Sequence, residues 1–144
     1  IIDMEKMELV TQTLVAHGRN SGTLFAKVFS NRNESYQSSL GFYITGDIYK
    51  GKHGMSLQLS GIESGINDNA KQRAIVMHGA DYVTEQFIKK QGYIGRSLGC
   101  PAVPQSEVKE IIQTIKGASL LYIYAPDNRY VKKSKLINDP SLLG

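Results

Sequence analysis

Apolar and polar positions alternate along most of this chain with a period near two, the pattern of half-buried strands. Residues 7–18 (MELVTQTLVAHG) and 23–30 (TLFAKVFS) are rich in β-branched, aromatic and alternating side chains, with RNSG (Arg19 to Gly22) as a turn between them. Further strands are expected at LGFYITG (40–46), SLQLSG (56–61), AIVMHG (74–79) and SLLYIYAP (119–126). Two stretches switch to the helical period. DYVTEQFIKKQG (81–92) offers Asp81 or Thr84 as N-cap and Gly92 as a stop. In PQSEVKEIIQTIKG (104–117), Ser106 is the expected cap, Val108, Ile111, Ile112 and Ile115 share one face, and Gly117 terminates. Residues 30–39 (SNRNESYQSS) and 61–69 (GIESGINDN) read as polar, turn-rich loops that could border a cleft. With no repeat, low-complexity tract or linker, the pattern describes one mainly-β domain over residues 1–144 with two short helices.

Composition changes this picture little. The chain has 144 residues, 41% hydrophobic and 21% charged, the profile of an ordinary globular domain large enough for a real core. No apolar run approaches the roughly 20 residues of a membrane helix. A net charge of +4 is mild and compatible with an anionic polymer or a carboxylate-bearing substrate. A single cysteine excludes an internal disulfide and a cysteine-rich metal site. The sequence starts at Ile1 without methionine, so a signal peptide, an anchor or a preceding domain would lie out of view.

The chemistry centres on that cysteine. Cys100 lies in GRSLGCPAVP (95–104), between a glycine and a proline, where the backbone can approach a ligand closely. A free thiol is only a few per cent thiolate at neutral pH and needs a base. His78 ends the apolar strand AIVM and should emerge at a sheet rim; 22 residues separate it from Cys100, enough for a short helix and a return to that rim. Such a pair performs acyl transfer on carbonyl substrates, and the imidazole should lower the effective pKa of the thiol. Pro101 has no N–H, so the amides of Cys100, Gly99 and Leu98 are the candidate oxyanion donors, with Gly99 admitting a substrate carbonyl. From spacing alone, an inert packing cysteine is the commoner case, since a lone cysteine is more often buried and unreactive than catalytic.

IVMHGADYV followed by GRSLGCPAVP resembles the paired signature of the murein L,D-transpeptidase catalytic domain family, from His78 and Gly79 to Ser97, Gly99 and Cys100. SSLGFYITG, with Ser39, Gly41 and Tyr43, is similar to the family's upstream segment, as are GKHGMSLQLSG and NDNAKQRAIVMHG. The resemblance covers about His17 to Tyr124. It implies a β-sandwich whose cysteine attacks the carbonyl of the third stem-peptide residue, expels the terminal D-alanine, and passes the acyl group to a diamino acid on a neighbouring stem. By position, Cys100 is the nucleophile and His78 the base, the Gly79 carbonyl orients the imidazole, and Ser97 shapes the turn and contacts substrate. The implied partners are peptidoglycan stem peptides outside the cytoplasmic membrane. Neither cofactor nor metal, nor nucleic acid, is expected, and the protein should be a monomer.

Two departures stand out. The family's second histidine, two residues before the cysteine, is Leu98 here, and its arginine or asparagine after the cysteine is replaced by Pro101, Ala102 and Val103. Arg96 is a candidate for a substrate carboxylate, against a solvent-facing role, and His53 in GKHGMS is a candidate for the missing imidazole, against an idle turn residue. Leu98 is expected to pack beneath the loop. His17 reads as a strand-end residue satisfied by backbone, and Tyr43 as core. A carboxypeptidase in which water resolves the acyl-enzyme, a non-catalytic wall-binding module and a histidine-dependent metal hydrolase are the competing readings. The last lacks any metal-ligand spacing.

Overall fold

The computed structural model describes residues 1–142. Its centre is a five-stranded sheet in the order β6-β5-β4-β3-β7, with a two-stranded β1-β2 pair apart from it. The strands are β1 (Ile2–Asp3), β2 (Glu8–Leu9), β3 (Gly41–Gly51), β4 (Gly54–Gly61), β5 (Val76–Ala80), β6 (Ala102–Pro104) and β7 (Leu120–Ile123). Helices are α1 (Glu85–Gln91), α2 (Val108–Ile115) and α3 (Asn128–Lys133). All pairings in the large sheet are antiparallel except β5 with β6, which run parallel through the α1 crossover.

The mainly-β expectation holds, and the four central strands form where the alternation placed them. Thr84 is the N-cap of α1, its side chain accepting from Phe87 N, and Gly92 ends that helix in the left-handed region. Ser106 does not cap α2; the cap position is Glu107 and no side chain serves it. The apolar stripe behaves as expected, with Val108, Ile111 and Ile112 buried against Tyr43, Leu57, Leu59, Met77 and Val103. α3 was not foreseen. Its cap is Asp127, which accepts from Arg129 N and Tyr130 N.

Residues 7–18 and 23–30 are not the strands that their alternation predicts. Beyond β2 and two isolated bridges, from Ala16 to Ala102 and from Gly18 to Ser97, neither stretch joins a ladder. Alternation produces a strand only where a partner edge is free to accept it. Here β3 already has β4 and β7 as neighbours, and β6 is short enough to take only residues around Ala16. Leu9, Val10, Val15, Leu24, Phe25 and Val28 therefore stay exposed. Near the first stretch, an open cavity of about 720 Å³ is bounded by the β1-β2 pair and by Met77, Val103, Ile111 and Ile115. Neither Cys100 nor His78 lines it.

A buried polar knot ties the 61–69 loop and α3 to the start of β3. Glu63 accepts from Phe42 N at 2.8 Å and from Tyr130 Oη at 3.0 Å, and Ser134 Oγ donates to its other oxygen. Asn67 donates to Leu40 O and Phe42 O, and its Oδ1 accepts from Glu63 N. Each buried polar atom has a partner, which is the condition for such a knot to stabilise. Gly41 is required by it: its φ is +102°, and a Cβ there would collide with Glu63 Oε2 and stand 2.9 Å from Asn67 Nδ2. Tyr43 is fully buried, with its hydroxyl donating to Ser39 O at 3.0 Å, so it is core as expected.

Gly41→Ala should accordingly lower unfolding free energy by about 2–4 kcal/mol in a urea titration. Gly117→Ala is the control, since Gly117 is also left-handed (φ +76°) but faces open space. A Gly41 loss no larger than the Gly117 loss would show that Glu63 simply moves aside.

Candidate active site

The β5–β6 pairing brings the two key segments together. His78 is in register with Ala102 on β6, and its N–H donates to Pro101 O at 3.4 Å. On the other side His78 is opposite Ser56 of β4. Ala16 continues this row, exchanging both backbone hydrogen bonds with Ala102 at 2.8 and 3.2 Å. Cys100 lies just before β6, level with Val76 and two residues from His78 along the neighbouring strand. Its Sγ donates to Ala74 O at 3.7 Å, and the Val76 N–H is directed at the sulfur.

His78 is buried, and its Nδ1 lies 2.9 Å from Gly79 O. A carbonyl can only accept, so Nδ1 carries the proton and the neutral ring presents Nε2 as its basic nitrogen. Burial holds the His78 pKa below its ordinary value; the Gly79 carbonyl opposes this, and the nearby His53 charge adds to it. His53 occupies the two-residue turn between β3 and β4, and its ring stacks on His78 with centroids 4.3 Å apart and planes 18° apart. The stack brings a second imidazole against His78 from the β3–β4 turn.

The thiol departs from expectation. Burial pushes the Cys100 pKa above the usual thiol value, opposed by the Val76 N–H and by the positive charge of Arg73. Burial thus favours the protonated form of this half-buried thiol.

The turn carrying Cys100 is built by Ser97 and Gly99. Ser97 Oγ donates to Cys100 O at 2.5 Å and accepts from Gly99 N at 3.1 Å. This engages the Gly99 amide and leaves those of Cys100 and Leu98 as the candidate oxyanion donors. Gly99 is needed for the backbone itself: its φ is +124°, and a Cβ would come within 2.9 Å of Gln37 O. Leu98 is 58% exposed, so it does not pack beneath the loop as its apolar character suggested. Arg96 is also engaged, donating to Gly22 O at 3.3 Å, to Gly95 O at 3.0 Å and to Ile94 O, while lying over the Tyr93 ring. Those contacts fasten loops and do not present a free fork to a carboxylate.

Two further segments meet the turn, one with no role expected from the sequence and one expected only as a loop that could border a cleft. His17 straps the base of the turn: Ser97 N donates to His17 O at 3.0 Å and Arg19 N to Ser97 O at 2.8 Å. Its Nδ1 is 3.0 Å from Gly18 O, and its Nε2 is buried with no hydrogen-bond partner, so the ring is not fully satisfied by backbone. Burial, with Arg96 nearby, keeps its pKa below the ordinary value against the pull of the Gly18 carbonyl. The second neighbour is the 30–39 loop, which does border the site. Ser38 Oγ donates to Gly99 O at 3.3 Å and accepts from Gly18 N at 3.0 Å. Nothing in a turn-rich polar stretch signals which far-off turn it will meet.

Residues 1–124 match the family model described as the L,D-transpeptidase catalytic domain. The chain belongs to that family. Its fold is the family's, and the family's activity is L,D-transpeptidation of peptidoglycan. No curated protein matches the sequence.

The geometry sets signs for two pH profiles. Because burial favours neutral His78, the acid limb of kcat/KM should have its midpoint below pH 6.5. The raised thiol should alkylate more slowly at pH 7.5 than an unstructured cysteine, with a rate still rising past pH 9. Iodoacetamide kinetics would check this, and faster-than-free alkylation at pH 7.5 would reverse the assignment. Leu98→Ala should change stability by less than about 0.5 kcal/mol, whereas Gly99→Ala should cost about 1–3 kcal/mol through backbone strain. Thermal melts separate the two.

Proposed function

We propose that this L,D-transpeptidase domain works through a thioester acyl-enzyme on Cys100. The observation that carries the reading is the tautomer of His78, which the Gly79 carbonyl fixes beside the strand that leads from Cys100. With the thiol protonated at rest, proton removal and attack belong to one step. His78 Nε2 takes the thiol proton as Sγ bonds to the carbonyl carbon of the third stem residue. The oxyanion is held by the backbone amides of Cys100 and Leu98, which are fixed in place before reaction. Collapse breaks the C–N bond to the terminal D-alanine, whose amine takes the proton from the imidazolium. The side-chain amine of a diamino acid on a second stem then attacks the thioester, giving up a proton to His78, which passes it to the departing sulfur as the C–S bond breaks.

Ser97 maintains the turn through both steps, and His53 shields one face of the imidazole from water. The same chemistry with water as acceptor would make the enzyme an L,D-carboxypeptidase. An amine acceptor is the reading the family favours. A murein substrate places the domain outside the cytoplasmic membrane; among the described residues no helix is long and apolar enough to cross it.

Incubation with murein tetrapeptides should give a Cys100 adduct lacking the terminal residue, followed by cross-linked dimers, both read by mass analysis. Tripeptide without dimer would indicate the carboxypeptidase. Cys100→Ala should abolish adduct and turnover while melting like the parent. His78→Ala should slow turnover by about 10²–10⁴-fold. Turnover retained by the Cys100 variant would sink the mechanism.

A further inference from the structure

Arg73 sits five residues before His78 and was absorbed by none of the roles above. Its side chain is half-buried and points at the underside of the nucleophile's turn: Nη2 is 3.4 Å from where a Cβ on Gly99 would stand. Four of its N–H groups are used. Nη1 donates to Ser30 O at 2.8 Å and Ser39 Oγ at 2.9 Å, and Nη2 to Gln37 O at 2.6 Å and Ser35 Oγ at 3.1 Å. The acceptor Gln37 O is the same atom that lies 2.9 Å from the Gly99 Cβ position. One guanidinium thus fixes both ends of the 30–39 loop and the surface on which the Cys100 turn rests.

Every one of these acceptors is neutral. The ion pairs among the described residues are Lys6 with Asp3 and Arg129 with Asp127, so no carboxylate balances Arg73 within 4.0 Å. A guanidinium cannot shed its proton, and a cation withdrawn from water is costly unless an anion meets it. The adjacent residue, Ala74, adopts the left-handed region at φ +53° and offers the carbonyl that accepts from Cys100 Sγ. Two groups that face Arg73 can become anions, the Tyr43 hydroxyl and the Cys100 sulfur, and burial pushes Tyr43 up to about 12, so the sulfur is the one that ionises first.

We propose that Arg73 is the positioning residue of this site, holding the turn of Cys100 against the 30–39 loop and keeping a permanent positive charge beside the sulfur for the moment when it becomes a thiolate. This deepens the acyl-enzyme reading and rests on Cys100 being its nucleophile. The charge opposes the effect of burial on the thiol. It does so from a fixed position, because four hydrogen bonds remove the freedom that an arginine side chain otherwise has.

The test is the pH–rate profile of iodoacetamide alkylation for the parent, Arg73→Gln and Arg73→Lys. It needs no murein substrate, so the two failures are distinguishable: an unshifted profile with intact transpeptidation sinks this proposal alone, and failed transpeptidation with a shifted profile sinks the acyl-enzyme reading and leaves only an effect of charge on the thiol. Arg73→Gln should move the profile up by about one pH unit, which is about tenfold slower alkylation at any pH below the midpoint. Arg73→Lys keeps the charge and loses the fork, so its profile should stay within about threefold of the parent while its melting temperature falls. An unshifted profile in a folded Arg73→Gln protein overturns the proposal. Where the glutamine variant does not fold, the lysine variant decides: a profile near the parent's supports the role, and a tenfold slowing overturns it.

Discussion

The row of residues Ser56, His78, Ala102 and Ala16, each hydrogen-bonded or in register with the next, is the constraint on which the site depends. It crosses four segments that are far apart in sequence and fixes them within one sheet. His78 lies inside that row, so its backbone cannot shift without breaking pairings on both sides. Cys100 is two residues from the Ala102 position, so its turn is anchored at the exit by β6 and at the entry by the His17 strap. A loop of six residues with both ends paired in this way has little freedom left. Ser97 and Gly99 remove the rest.

Electrostatics at the site follow from how much water this packing excludes. Burial disfavours charge on both partners, lowering His78 and raising Cys100. Both shifts act against a thiolate–imidazolium pair, and the proposed mechanism accordingly couples proton transfer to attack. Such an arrangement protects a lone thiol from adventitious oxidation and alkylation, since the reactive species is the thiolate. The fixed charge of Arg73 and the Val76 N–H then act on the anion only as it forms. Preorganised groups of this kind favour a charged state on the reaction path without stabilising the ground state equally.

The two missing family features are thus met differently. Leu98 projects into solvent where a histidine is usual, and His53 covers His78 by stacking from the β3–β4 turn. Arginine does not follow the cysteine in sequence, yet Arg73 reaches the same turn from the segment before β5. Side chains of similar chemistry enter one small space from different points of the chain.

Periodicity legible in the sequence determined what depends on near neighbours. The central strands and the α2 stripe follow from spacing and residue type, since burial on one face imposes the period directly, whereas spacing leaves Asp81 and Thr84 both open as the α1 cap and singles out His78 and Cys100 only together with the family resemblance. Gly99 and Pro101 announced an unusual turn for the same local reason. Tertiary structure alone decided the rest. Residues 7–18 and 23–30 carry a strand pattern but, apart from β2 and the bridges at Ala16 and Gly18, pair with no strand, and Ser106 precedes a helix it does not cap. Leu98 is apolar and exposed, while Arg73 is charged and drawn inward, because loops from residues 18–21 and 30–39 close over one side of the turn and leave the other open. Which groups lose water depends on which distant segments arrive, and no period in the sequence encodes that arrival.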